Sequence, residues 1–267
     1  MLRSVFAKTL RDLRRGFGWW TLGLAGYVAL IVAVWPTVKH NPALIKLHET
    51  YPEALRAFVS FGGELDFGTP AGYLGAEIFS LIAPLLLVVA GIGAGARAIA
   101  GEEERGTLDL LLSMPVSRRR LVLEKLGALV VEVTGLGAVL WAALAIGSWA
   151  AGMHLSAGNL AAAVGGAVLL ALAFGCIALL LGAATGRRGL ATGLTAALAV
   201  ATYLLNSLAP LVHALEHVRK ASPFYHYAAG DPLRQGFAVG HGLVLVAIAV
   251  AAGLLAPVLF DRRDLSV

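Results

Sequence analysis

Charge and cysteine are both scarce in this 267-residue chain. Asp, Glu, Lys and Arg make up 14% of it, where soluble domains carry about 25%. That shortfall excludes a water-soluble globule. Disorder, collagen, coiled coils and disulfide scaffolds are excluded too. None tolerates so much continuous apolar sequence, and the single cysteine, Cys176, sits inside an apolar run. What is abundant is apolar: 58% of residues before glycine is counted, and 32 glycines lift the apolar-plus-small share to about 70%, against roughly 45–50% in soluble domains. With a mean hydropathy of +0.80, the chain reads as an integral membrane protein. Its net charge of +5 would suggest nucleic acid in a soluble chain; in a membrane protein the placement of the charges carries the information, and no nucleic-acid partner is expected.

Charge-free windows locate the spans, because an unpaired charge near the bilayer centre costs about 2.5–3.5 kcal/mol on insertion scales. They cover 16–38, 78–96, 133–186, 189–215 and 235–260. The third is far longer than the roughly 20 residues that cross a bilayer, and the turn-prone Gly152-Met153-His154-Leu155-Ser156-Ala157-Gly158-Asn159 divides it. The expected fold is therefore all-α and polytopic, one domain with six transmembrane helices at about 18–36, 77–98, 124–150, 160–184, 190–212 and 238–259. Of the 21 Lys and Arg, 15 fall in 1–17, 97–125, 185–189 and 260–267, which places both termini in the cytoplasm. A cleavable signal peptide is the competing reading of the first 38 residues, but the apolar stretch is too long and lacks an A-x-A-type site. No internal repeat or low-complexity linker is seen.

Residues 1–17 place Leu2, Val5, Phe6, Leu10, Leu13 and Phe17 in one arc of a helical wheel and Arg3, Lys8, Arg11, Arg14 and Arg15 opposite. The pattern predicts a basic amphipathic helix lying on the cytoplasmic leaflet, its cations facing the headgroups of the lipid bilayer. An ordinary positive-inside flank is the alternative.

The largest cytoplasmic segment reads Gly101-Glu102-Glu103-Glu104-Arg105-Gly106-Thr107-Leu108-Asp109-Leu110-Leu111-Leu112-Ser113-Met114-Pro115-Val116-Ser117-Arg118-Arg119-Arg120. Thr107 is a suitable N-cap, Leu108 to Met114 makes about two turns before Pro115, and Ser117 caps the next helix, which runs into the third span. A short helix displaying leucines and few charges beneath the membrane expects a partner groove.

This run resembles the intracellular segment of ABC-2 type (type V) ABC transporter permeases, E-x-x-x-G-T-L-[ED]-x-L-L-[ST]-x-P-V-[ST]-R. The likeness extends over the whole chain: the N-terminal helix, six spans, an outer loop from Tyr51-Pro52 through Thr69-Pro70 to Glu77, and the ending Phe260-Asp261-Arg262-Arg263-Asp264-Leu265. The resemblance implies a coupling helix between spans two and three that docks an ATP-binding cassette subunit. Leu108, Leu110 and Leu111 would enter its groove and Glu102, Glu103, Glu104 and Asp109 would form a polar rim. Gly106, Thr107 and Pro115 would shape the turn, and Arg118, Arg119 and Arg120 would pair with the acids or with lipid phosphates. It further implies a second permease copy, as homodimer or heterodimer, in a bacterial or archaeal cytoplasmic membrane. Export of a hydrophobic or amphipathic solute (drug, lipid or peptide) is favoured.

This chain has no ATPase site. A phosphate-cradling loop needs G-x-x-x-x-G-K-[ST], and no lysine here follows a glycine. ATP and Mg²⁺ therefore belong to the partner ATPase, and the chain itself is expected to bind no cofactor and to carry no catalytic residue. Gly91-Ile92-Gly93-Ala94-Gly95 lacks the third glycine of a nucleotide fingerprint and lies in a span, where close helix packing is its meaning.

Three further features are weighed. Thr192, Thr195, Thr202, Tyr203 and Asn206 form a polar stripe on span five, which the resemblance makes a substrate-path candidate; threonines bonding to their own helix are the alternative. Glu132 lies about 10 Å into span three and is a second path candidate, with snorkelling or pairing as the alternative. His213-Ala214-Leu215-Glu216-His217 matches H-x-x-E-H, but no third ligand is evident, so no metal is expected. An intramembrane hydrolase would need a nucleophile or metal ligands, and neither is found. A non-transporting, ATP-driven membrane assembly factor of the same fold remains the main rival reading.

Overall fold

The structure, a computed structural model, describes residues 5–41, 52, 66–112, 116–211 and 217–263, with backbone alone at 110, 112 and 211. Every regular element among them is helical, and six helices are long and apolar enough to cross a membrane. The first span is α1 (Val5–Lys39). The second, Pro70–Ala98, is composite: α2 (Pro70–Leu74), one π-helical turn at Gly75–Phe79, and α3 (Ile82–Ala98). Two single turns follow, α4 (Ala100–Glu104) and α5 (Leu108–Leu112). The third to fifth spans are α6 (Arg118–Ala150), α7 (Ala157–Thr185) and α8 (Arg188–Leu208). The short α9 (Pro223–Ala228) and α10 (Pro232–Gln235) precede the sixth, α11 (Val239–Asp261).

Each of the six candidate spans covers a stretch that charge-free sequence marks, but the first begins well before its window. α1 passes through residues 17 and 18 without a turn, so the expected separate interfacial helix is the opening part of one helix about 52 Å long. The reason is packing. The apolar arc lies on α6: Val5 is 2% exposed, and a Cβ at Gly127, Gly135 or Gly147 would meet Phe6 at 3.5 Å, Phe17 at 3.1 Å and Val32 at 3.1 Å respectively. These pairings advance together, so α1 and α6 run parallel. A face with a protein partner along its length has reason to continue as helix despite Gly16 and Gly18. Leu2 and Arg3 lie outside the described residues.

The centre of the bundle is α3 against α7. A Cβ at Gly91 would stand 2.6 Å from the Ala171 carbonyl oxygen, and one at Gly95 only 2.1 Å from that of Gly175. Glycines four apart let the two backbones touch, as the sequence reading of this run requires. The π turn frees backbone carbonyls, which must find donors away from water. Tyr27 Oη donates to Glu77 O (2.6 Å), and Tyr227 Oη to Phe79 O (2.8 Å). Tyr73 Oη adds a bond to Ile31 O (2.9 Å), fixing α2 to α1. Of the outer loop that contributes to the family likeness, residues 51 and 53–65 lie outside the described residues.

Candidate functional site

The segment between the second and third spans is built on a helix ending. Thr107 N–H donates to Glu102 O (2.9 Å) and Gly106 N–H to Glu103 O (2.9 Å), the crossed pair of a Schellman motif. Gly106 occupies the left-handed position, φ +66°, where a side chain costs roughly 1–2 kcal/mol. The glycine-threonine pair of the motif is therefore a stop signal. The Thr107 hydroxyl also turns back to Glu102, lying 2.5 Å from Oε2 and 3.1 Å from the carbonyl oxygen as donor. Ser117 does cap α6, its hydroxyl accepting from Arg120 N–H at 3.3 Å.

Around this turn the charges hold the helix ends together. Lys125 Nζ on α6 donates to Glu102 Oε1 (2.6 Å), and both side chains are buried; Lys8 of α1 stands 4.0 Å from Oε2. Burial disfavours the Glu102 carboxylate, but the hydrogen bonds from Lys125 and Thr107, reinforced by the charges of Lys125 and Lys8, outweigh it and hold its pKa below the usual value. Glu103 pairs with Arg263 beyond α11, and Arg263 also donates to Ala183 O of α7 (3.2 Å). Glu104 Oε1 accepts Arg188 N–H at the start of α8 (2.8 Å). Arg118 Nη1 donates to Arg263 O, and Arg119 Nε to Asp261 Oδ2, each at 2.9 Å. Glu124 joins α1 to α6, accepting from Phe6 N–H and Arg120 Nε, again at 2.9 Å each. The three consecutive glutamates thus reach residues on or next to α6, α11 and α8, and the network also takes in α1 and α7.

The leucines divide. Leu108 and Leu111, three apart, are 3% and 5% exposed and pack with Val5, Ile99, Leu121, Val122 and Phe260. They anchor α5 to the bundle and are not on its outer surface, because a single turn keeps its place only by burying one face. Asp109 is exposed. The side chains of Leu110 and Leu112, and residues Ser113, Met114 and Pro115, lie outside the described residues.

The family model described as ABC-2 family transporter protein matches residues 3–265, nearly the whole chain. The chain belongs to the ABC-2 transporter family. Membership makes it a multi-pass membrane protein and the permease component of an ABC transporter, a type of subunit that typically has no ATPase site of its own and implies an ABC ATPase partner. No curated protein matches the chain.

In this ABC-2 permease the polar stripe of α8 is turned inward. Thr195 is fully buried, its hydroxyl donating to Ala191 O (2.8 Å), and Thr202 donates likewise to Leu198 O (2.8 Å). This is the self-bonding alternative. Thr192 is half-buried. Tyr203 packs edge-on to Phe224 of α9, and Asn206 Oδ1 accepts from Arg219 Nε (3.1 Å). Glu132 lines a polar cavity of about 240 Å³ between α1, α3 and α6, with Asp12, Arg97, Arg105, Glu102 and Lys125, and no residue of the α8 stripe lines it. The partner that the sequence left unnamed is Arg97, at 3.8 Å.

Sequence reasoning missed Lys125 and Arg97, which read as span-flanking cations. Their signal was position, since each lies at or within the end of a span. It also missed His241, which meets His226 of α9 with their Nδ1 atoms 2.9 Å apart. Of the H-x-x-E-H run, His213 and Glu216 lie outside the described residues and His217 is exposed. Among the described residues no group of three or more His, Cys, Asp or Glu is placed to hold a metal ion.

Proposed function

We propose that this chain is the membrane half of an ATP-driven exporter of a hydrophobic or amphipathic solute, moved by a separate ABC ATPase docked on the segment from Glu102 to Arg119. The supporting observation is the network itself: Glu102, Glu103 and Glu104 bond to residues on or next to α6, α11 and α8. A push on this turn is delivered to three other spans without passing through a flexible loop. In this reading Asp109 and the exposed Arg119 and Arg120 meet the ATPase, while Glu102, Leu108 and Leu111 hold the lever in place. The charged end and both termini face the cytoplasm.

A second permease copy covers α8, whose Leu190, Leu194, Leu198, Val200, Leu204 and Leu208 are exposed. The half-buried Thr202, Tyr203 and Asn206 would border the resulting seam as the solute path; the fully buried Thr195 would not. Residues 5–17 keep their basic side toward the headgroups while their apolar side stays on α6.

The test is co-purification with the ABC ATPase. Asp109→Arg is expected to lower the ATPase recovered and the permease-dependent hydrolysis several-fold while the chain inserts normally. Unchanged recovery and hydrolysis would reject this segment as the docking site. An assembly factor is separated from an exporter by solute movement in proteoliposomes.

A further inference from the structure

Two cavities meet on the α1–α6 contact. The polar one, about 240 Å³, carries three cations and three carboxylates: Arg97, Arg105 and Lys125 against Asp12, Glu102 and Glu132. The other, about 340 Å³, is walled by Leu10, Leu13, Phe17, Val131 and Gly135, with Arg14 also lining it. Leu13 and Glu132 line both.

Within the polar cavity one pair is closed and one is open. Glu102 and Lys125 are in hydrogen-bond contact. Arg97 Nη2 and Glu132 Oε1 stand 3.8 Å apart, beyond hydrogen-bond reach. Glu132 is 4% exposed, and its Oε2, buried from solvent, has no hydrogen-bond partner among the described residues. A buried carboxylate oxygen with no donor calls for one that the described residues do not provide. Arg97 in turn has guanidinium donors to spare. The open pair therefore asks for an acceptor toward Arg97 and a donor toward Glu132, in one molecule, beside an apolar chamber.

We propose that the two cavities together bind one zwitterionic amphiphile of the bilayer, a phosphatidylethanolamine-like lipid. Its phosphate lies on Arg97, its primary ammonium donates to Glu132, and an acyl chain lies along Leu10, Leu13 and Phe17. Phosphatidylglycerol offers hydroxyl donors but no cation to set against the Glu132 carboxylate, so its hydrogen bond there is not charge-assisted on both sides. A choline head has the positive charge but no N–H. A water-soluble zwitterion leaves the apolar chamber unfilled. The site uses α1, α3 and α6 and none of the α8 stripe, and it does not depend on the transport reading.

The experiment is lipid retention by the full chain, exchanged into bilayers of equal phosphatidylethanolamine, phosphatidylglycerol and phosphatidylcholine, extracted in mild detergent and weighed by native mass spectrometry. The wild type is expected to keep one phosphatidylethanolamine, favoured roughly tenfold over the other two, the worth of one charge-assisted hydrogen bond. Glu132→Gln and Arg97→Gln should bring that preference to about unity. Gly135→Leu, which fills the apolar chamber, should reduce retention of all three. Soluble phosphoethanolamine should not displace the lipid. Equal retention of the three lipids by the wild type, or none, overturns the proposal. An unchanged preference in both charge variants also overturns it. The wild-type comparison decides even where a variant fails to insert.

Discussion

Glu102 and Lys125, 23 positions apart, meet at 2.6 Å where α4 passes the first turns of α6, and both side chains are buried. A buried ion pair adds little net stability over a well-packed apolar pair, yet removing one partner strands the other. The cost of that is about 3–5 kcal/mol in a dry core. This pair borders the polar cavity, so Glu102→Ala or Lys125→Ala is expected to cost about 2–4 kcal/mol, and Glu102→Leu with Lys125→Met to recover most of it. Thermal unfolding of the three variants in detergent checks this. Additive losses in the double variant would show that the pair is not the unit.

The same carboxylate makes stability depend on acid. Its folded pKa lies below its ordinary value of 4.5, because the bonds from Lys125 and Thr107 outweigh burial. Above 4.5 the group is charged in both states and its stabilisation is complete; as pH falls from there through the lower folded value, the unfolded chain takes up the proton first and stability is lost. The wild type should therefore lose more of its midpoint between pH 5 and pH 3 than Glu102→Gln, roughly the range over which a depressed carboxylate titrates. Parallel pH curves for the two proteins would contradict it.

Much of the fold was legible because a bilayer permits few alternatives: charge-free windows and the turn at Gly152 mark all six candidate spans. Two things were not legible, for different reasons. The boundary at residue 17 depends on what the apolar arc of α1 touches, and an arc facing α6 has the same sequence as one facing lipid. In the motif, periodicity shows that Leu108 and Leu111 share a face, but only packing shows that this face points into the bundle. The burial of Glu102 was hidden for a related cause: a charged residue beside a span looks exposed until its partner, here on another helix, is known. The path stripe on α8 was legible as a stripe, and its threonine hydroxyls bond to their own helix.

Glycine spacing on α3 gives a graded test. A methyl at Gly95 would stand 2.1 Å from the Gly175 oxygen and one at Gly91 2.6 Å from the Ala171 oxygen, both backbone atoms that move only if the helices separate. At Gly93 the nearest atom is the Arg97 guanidinium at 3.4 Å, the far end of a flexible side chain. Overpacking costs about 1–3 kcal/mol, so Gly95→Ala and Gly91→Ala should fall in or above that range and Gly93→Ala near zero. Midpoints of the three alanine variants measure it. Equal gains at all three would mean that helix propensity, which favours alanine over glycine by about 1 kcal/mol, governs the site and contact does not.

At the other end of the bundle, His226 carries a pH response of opposite origin. Its ring is partly buried, stands against His241 at 2.9 Å between Nδ1 atoms, and is packed edge-on by Tyr225; Nε2 lies 2.9 Å from Lys220 O. Burial, together with His241 and against the bond to Lys220 O, pushes its pKa below 6.5. Above 6.5 both folded and unfolded chains hold it neutral. As pH falls below that value the unfolded chain binds a proton that the folded chain refuses, so stability declines until the folded value is passed. The wild type should lose midpoint between pH 7.5 and pH 5.5, and His226→Asn should lose less over the same interval, since the asparagine has no proton to bind. A wild-type midpoint that rises on acidification would reverse the sign and place the histidine pair in a charged, stabilising role.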